Sequence, residues 1–258
     1  MDILDKFIEC AKESVRTGYY DINDAKITKN SFEHVSLLKK IRDCGFILIS
    51  EIKHASPAGE YSFENIDVEK TAKRFKECGS DAISVVVEPK IFKGNLNNLA
   101  IAKETGLPVL FKDFVIDPVQ IKAAKHYGAD CILLIMKVMD RLNLDVNSFI
   151  DLAHENGLDV LLECYNANEM KRAAKTKADV LGINNRDLQT LKVDLNRTKD
   201  ILAASGTINK PVISESGIKS YADAKFVKVA GANGILVGSA LWKADNQEAK
   251  IRELKGVL

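Results

Sequence analysis

Eight short apolar runs, amphipathic segments between them and a turn motif repeated four times predict an α/β protein, a (β/α)8 TIM barrel with a helical N-terminal extension. The length of 258 residues agrees, since such barrels typically run to about 250 residues. The runs are FILIS (46–50), AISVVV (82–87), PVLF (108–111), CILLI (131–135), DVLLE (159–163), DVLGI (179–183), PVIS (211–214) and GILVG (234–238). They are continuous rather than alternating in polarity, the pattern of parallel strands covered on both faces.

Ahead of the first run, Leu4, Phe7, Ile8, Ala11 and Val15 form an amphipathic stripe, and a second helical segment is expected over 31–43. This extension, residues 1–45, can plug the barrel bottom, cover its mouth or form a subunit contact, and periodicity leaves all three open. A single barrel domain follows over 46–258. Within 66–79, Val68, Ala72 and Phe75 share a helical face. Within 117–128, Asp117 suits the N-cap, Pro118 the first helical position and Gly128 the stop. Asn166 and Glu169 have capping-box spacing before Met170, Ala173 and Ala174. Gly79-Ser80-Asp81, Gly128-Ala129-Asp130, Lys177-Ala178-Asp179 and Gly231-Ala232-Asn233 each lead into an apolar run. The first three lie 49 residues apart and the fourth 54 further on. That is the length of two strand–helix units, so the motif marks the even strands.

Composition narrows the class of function. The chain is 46% hydrophobic and 28% charged, with 37 Lys and Arg against 36 Asp and Glu and a net charge of +1. No lysine and arginine excess is present for a nucleic-acid surface. No apolar run approaches the about 18–20 residues of a membrane helix, and MDILDKFIECAKES has acids where a secretory signal has bases. A cytoplasmic protein is expected. The five cysteines lack a CxxC pair and the four histidines (His34, His54, His126, His154) lack metal-ligand spacing. No disulfide framework, metal or thiol chemistry is therefore expected. Cys131 reads as a buried small hydrophobe, and His126 and His154 as solvated or dipole-capping residues near helix ends.

In this fold the strand ends and the loops after them build the active site. Strand 1 ends in Glu51-Ile52-Lys53, whose alternation puts Glu51 and Lys53 on one side. Strand 3 ends in Lys112-Asp113-Phe114, strand 5 in Glu163, strand 6 in Asn184-Asn185-Arg186-Asp187, strand 7 in Glu215-Ser216-Gly217 and strand 8 in Gly238-Ser239. Two lysines and three glutamates on one mouth can shift one another's pKa values and supply proton donors and acceptors. The turns at Ser216-Gly217-Ile218 and Gly238-Ser239-Ala240 can bring backbone N–H groups to an anion, where many barrels hold a substrate phosphate. The loop His54–Gly59 is placed as a lid, and its Ser56 can add a hydroxyl to the phosphate site. Phe92 and Phe114 are candidate walls for an aromatic portion of the substrate.

These motifs resemble those of the indole-3-glycerol-phosphate synthase family, barrel enzymes that make the indole ring in tryptophan biosynthesis. The matching segments are SEIKHASPAG (50–59), ISVVVEPKIFKG (83–94), PVLFKDF (108–114), ADCILLI (129–135), LLE (161–163), GINNRDL (182–188), SESGI (214–218) and LVGSAL (236–241). They run in family order over nearly the whole chain, behind an extension that is also characteristic. KDF and GINNRDL are the specific signals, whereas SGI and VGS occur in many phosphate-binding barrels.

The resemblance implies a carboxy-lyase that uses no cofactor or metal. It would close the ring of 1-(2-carboxyphenylamino)-1-deoxyribulose 5-phosphate, a phosphosugar–anthranilate conjugate, with loss of carbon dioxide and water. It implies Lys112 as the general acid, Glu163 as the base, and Lys53 with Glu51 as a second acid–base pair. By the same resemblance Asn184 and Glu215 bind substrate hydroxyls, Arg186 meets the substrate carboxylate or tethers its loop, and Ser56, Ser216, Gly217, Gly238 and Ser239 cradle the phosphate. A monomer or weak homodimer is expected. The chain departs from the family pattern at Val87-Glu88, where Thr-Asp or Thr-Glu is frequent, at Cys164-Tyr165, and at Ala58 in place of a serine. A phosphoribosylanthranilate isomerase would share the phosphate turns, but normally relies on a Cys/Asp pair rather than a lysine-rich mouth. A non-catalytic partner subunit would not need all five acids and bases.

Overall fold

The computed structural model describes residues 2–22, 32–56, 59, 61–63 and 65–256. Eight parallel strands close into a barrel in sequence order: β1 (Ile47–Ile52), β2 (Ala82–Val86), β3 (Val109–Lys112), β4 (Cys131–Ile135), β5 (Asp159–Cys164), β6 (Val180–Asn184), β7 (Val212–Glu215) and β8 (Gly234–Val237). β8 returns to β1, with Ile47 opposite Gly234 and Ser50 opposite Val237. Each strand overlaps its expected run, β4 coincides with it, and no end differs by more than two residues.

Strand alternation sorts the apolar side chains into two layers. Ile47, Ile49, Leu110, Leu133, Leu161, Ile213 and Leu236 fill the barrel interior. Their neighbours Leu48, Ile83, Val85, Phe111, Leu134, Leu162 and Ile235 face the surrounding helices. Continuing the inward phase past the apolar segment of each strand brings Glu51, Lys112, Glu163, Asn184 and Glu215 to the C-terminal mouth.

The helices begin where local chemistry directs. α3 (Val68–Glu77) starts at the Asp67 cap and buries Val68, Ala72 and Phe75. α5 (Pro118–His126) has Asp117 as its cap, and Gln120 completes a capping box. Gly128 follows at φ +87°, a left-handed turn that glycine reaches without steric cost. α8 (Ala167–Ala173) is capped by Asn166. Of the two histidines expected at helix ends, His154 pairs with Asp179 at 2.9 Å, whereas Nε2 of His126 is buried without a hydrogen-bond partner. Cys131 is fully buried in the barrel interior.

The extension serves both ends of the barrel. α1 (Ile3–Arg16) puts Leu4, Phe7, Ile8 and Ala11 onto the interior cluster at the mouth, and Val15 joins the outer layer instead. α2 (Leu37–Cys44) plugs the bottom with Leu37 and Ile41. The expected helix over 31–43 is corrected here: it starts at Leu37, and residue 31 lies outside the described residues. The reason is that Val35 N–H donates to Asp130, while Ser36 donates its hydroxyl to Asp159 and caps α2. These bonds hold the preceding chain extended against the ends of β4 and β5.

Candidate active site

Lys112 is the hub of the mouth. Its Nζ lies 2.8 Å from Glu215 Oε2 and 3.3 Å from Glu51 Oε2. Lys53 Nζ meets the other oxygen of Glu51 at 2.7 Å. Glu51 thus bridges two lysines, one just after β1 and one at the end of β3. Burial disfavours the charge on Lys112, but Glu215, Glu51 and Glu163 outweigh it and hold the ammonium above its ordinary pKa. Burial likewise pushes the Glu51 carboxyl upward, yet the two lysines bring it down to about 2.

Glu163 responds the other way. Burial first, and then the charge of Glu215, raise it to about 8 against the opposing pull of Lys112 and the Asn184 hydrogen bond. One mouth thus holds a carboxylate kept ionised and a carboxyl that retains its proton near neutrality, the divergence expected of acid–base partners. Glu215 Oε1 is buried without a hydrogen-bond partner. A Cβ on Gly182 would lie 2.6 Å from that atom, so only glycine on β6 leaves room for it.

A cavity of about 320 Å³ opens over these groups, within the size range of small-molecule sites. Lys53, Glu51, Lys112, Glu163, Asn184, Arg186, Phe92 and Phe114 line it, together with Ser216, Gly217, Gly238 and Ser239. Two proposed contacts stand apart from the lining. Glu215 sits behind Lys112, and Ser56 is buried at the root of its loop, where its N–H donates to Tyr61 O. Pro57 and Ala58 of that loop lie outside the described residues.

The end of the cavity formed by the turns after β7 and β8 is built largely from backbone. Ser216 at φ +66° and Gly217 at φ +86° are two successive residues of positive φ in the turn that lines the cavity after β7. A Cβ on Gly238 would collide with the Glu51 carboxylate, so a side chain there would disturb the acid–base cluster. The short helix α11 (Ser239–Trp242) starts at the same place, and its first amides have no acceptor within the helix. Trp242 Nε1 donates to Glu51 O at 2.8 Å, tying that helix to β1.

The opposite end is aromatic and apolar. Phe7 of α1 stacks on Phe114 at 4.7 Å between ring centroids, and Phe92 lies 5.9 Å from Phe7 and 6.3 Å from Phe114. Leu133, Ile135 and Leu188 complete this side. Arg186 donates to Leu191 O at 3.1 Å and its N–H to Asn184 Oδ1 at 2.9 Å, so its loop is tethered while the residue still lines the cavity. Asn185 points outward and is fully buried, bonded to Ser214, Ser216 O and Thr198 behind the site. Asp113 also faces outward. Burial raises its carboxyl to about 7, and Tyr20 donates to it at 2.6 Å. Sequence reasoning missed Phe7 as a site residue although it belongs to the N-terminal stripe, because periodicity does not say which end of the barrel the stripe covers. It also missed Glu88, which lines the cavity from the end of β2.

A family model described as indole-3-glycerol phosphate synthase matches residues 3–254. The chain belongs to the indole-3-glycerol-phosphate synthase family. Curated relatives of that name include a protein of Exiguobacterium sibiricum, 38% identical over 100% of this chain and 98% of its own length, and one of Aquifex aeolicus, 39% identical over 84% of each. Solved structures with the same barrel include a 3-hexulose-6-phosphate synthase (TM-score 0.63, 18% identity, 82% of this chain and 99% of that one) and a thiamine phosphate pyrophosphorylase from Pyrococcus furiosus (TM-score 0.61, 18% identity, 86% and 97%). At that identity these two show the fold alone. Across the family match, the KDF and GINNRDL segments coincide with the lysine hub and the tethered Arg186 loop.

Proposed function

We propose that this chain converts 1-(2-carboxyphenylamino)-1-deoxyribulose 5-phosphate to indole-3-glycerol phosphate, one carbon dioxide and one water. The observation that carries the reading is Lys112 held between Glu215 and Glu51, opposite Glu163 and between an aromatic wall and a backbone anion cradle. The cradle of Ser216, Gly217, Gly238 and Ser239 takes the phosphate, and Ser56, buried at the root of the loop after β1, stays outside that cradle. Phe92 and Phe114 hold the anthranilate ring, and Arg186 meets its carboxylate.

With the substrate so placed, Lys112 gives a proton to the ketose carbonyl oxygen as the carboxylate-bearing ring carbon attacks that carbonyl carbon. A preorganised cation here stabilises the developing oxyanion. The new C–C bond forms, and the bonding pair released as carbon dioxide leaves returns to the ring. Lys53, oriented by Glu51, protonates the departing hydroxyl, which leaves as water. Glu163 accepts the proton lost as the new ring becomes aromatic. Asn184, which lines the cavity, holds the substrate hydroxyls, while Glu215, buried behind Lys112, orients that lysine rather than a hydroxyl. The helical extension closes this barrel as part of one catalytic unit, and none of these steps requires a cofactor.

We further propose that the enzyme works in the cytoplasm as a monomer or weak homodimer, on a small phosphorylated substrate rather than on nucleic acid or a membrane. The near-balanced charge of +1 supports this, and no helix among the described residues is long and apolar enough to cross a membrane.

The test is the appearance of indole fluorescence from the synthetic substrate with a chelator present. Folded protein that yields no product with or without chelator overturns the reading. In the same assay Lys112→Ala should lose about 10²–10⁴-fold in turnover while inhibition by inorganic phosphate persists. Equal loss of both would make Lys112 a positioning residue instead.

A further inference from the structure

Glu88, at the end of β2, is 1% exposed and has no ion-pair partner among the described residues. Burying a carboxylate is costly unless its oxygens are well supplied with donors. Here the donors are backbone. Oε1 accepts from Lys90 N–H at 2.9 Å, and Oε2 from Ile91 N–H at 2.7 Å and Phe92 N–H at 2.9 Å. The loop closes on the same residue when Gly94 N–H donates to Glu88 O at 2.8 Å. Lys93 turns left-handed at φ +54°, and a Cβ on Gly94 would overlap the Val86–Val87 backbone. The loop is therefore wrapped around one carboxylate.

The residues so fixed reach three parts of the mouth. Lys90 pairs with Glu13 of α1 at 2.6 Å, Phe92 faces Phe7 and Phe114, and Lys93 donates to Ser62 in the loop after β1 at 2.8 Å. We propose that Glu88 is a positioning residue that sets Phe92 in the aromatic wall, and so governs capture of the substrate's aryl end without touching the reacting atoms. This rests on the function proposed above.

Glu88→Gln replaces one acceptor oxygen with an NH2 that faces donors. Glu88→Asp keeps the charge but falls a methylene short, and so provides a second variant if the first folds poorly. Hydrogen exchange at the Lys90, Ile91 and Phe92 amides should quicken about tenfold or more, the scale of one lost charge-assisted hydrogen bond. The substrate KM should rise about 5- to 20-fold, with kcat within about threefold and inhibition by inorganic phosphate unchanged, because the phosphate binds at the other end of the cavity. In the double variant with Phe92→Leu, KM should not exceed that of Phe92→Leu alone by more than about twofold. Unchanged amide exchange, an unchanged KM or KM effects that multiply would overturn the proposal. Inactive wild-type protein would fail the functional reading instead, and amide exchange would then decide the role of Glu88 in the loop by itself.

Discussion

At the residue scale, the mouth separates like groups by giving each a different neighbour. Glu51 lies between two lysines and is held ionised, with its carboxyl at about 2. Glu163 is buried, faces the charge of Glu215 and retains its proton to about 8. A base must be ionised to accept a proton, so the free enzyme gains competence as pH rises toward that value. We expect kcat/KM to climb from pH 6 to about 8 and then level. A rate profile flat between pH 6 and 9 would remove Glu163 from the role of base. Both glutamates could be picked out in the sequence as strand-end acids. Their opposite shifts could not, because the partners of Glu163 come from β3, β6 and β7.

At the element scale, α1 decides the shape of the aromatic end of the cavity. Its apolar stripe is plain in the sequence, and what the stripe covers is not. The helix is tied to the rim by Arg141, which pairs with Asp2 and Asp5, by Gln189 on Asp2 and by Lys90 on Glu13. Tyr20 anchors the chain just beyond the helix to Asp113, the residue after β3. Phe7→Leu keeps an apolar side chain and loses the stacked ring, a contact worth about 0.5–1.5 kcal/mol. It should raise KM about 2- to 10-fold with kcat little changed, measured by substrate titration, and lower Tm by only a few degrees. A fall in kcat at constant KM would mean that α1 acts on the chemistry rather than on capture. α2 shows the opposite limit of local reading. The helix itself was legible, but its start was set by Asp130 and Asp159, about 95 and 120 residues further along the chain.

At the scale of the whole molecule, the repeated turn motif is a clasp at the bottom of the barrel. Asp81, Asp130, Asp179 and Asn233 each accept from the N–H of a residue on the preceding odd strand, at Leu48, Val109, Val160 and Val212. Each returns its own N–H to the carbonyl of that same residue. The spacing read from the sequence is therefore the spacing of four strand-pair locks. They carry different loads. Asp130 also neutralises Lys103, whose side chain is 5% exposed, whereas Asp179 meets a partly solvated His154. Asp130→Ala should cost about 3–5 kcal/mol because it strands a buried cation. Asp179→Ala should cost about 1–2 kcal/mol. Urea unfolding of the two variants checks the order, and equal costs would refute this account of the clasp.

Strand positions, the Asp117 and Asn166 helix caps, the even-strand motif and the set of charged residues at the mouth are determined by the sequence alone. Each depends on a backbone periodicity or a cap spanning a few residues, which any short window displays. Closure of the barrel decides the rest. It brings Lys112 to Glu215 across 103 residues of chain, sends α1 to the mouth and α2 to the bottom, and turns Glu88 from a strand-end acid into the centre of a loop. Those pairings depend on which strands become neighbours and which face of each turns inward, and desolvation then sets the charge state of every group caught inside.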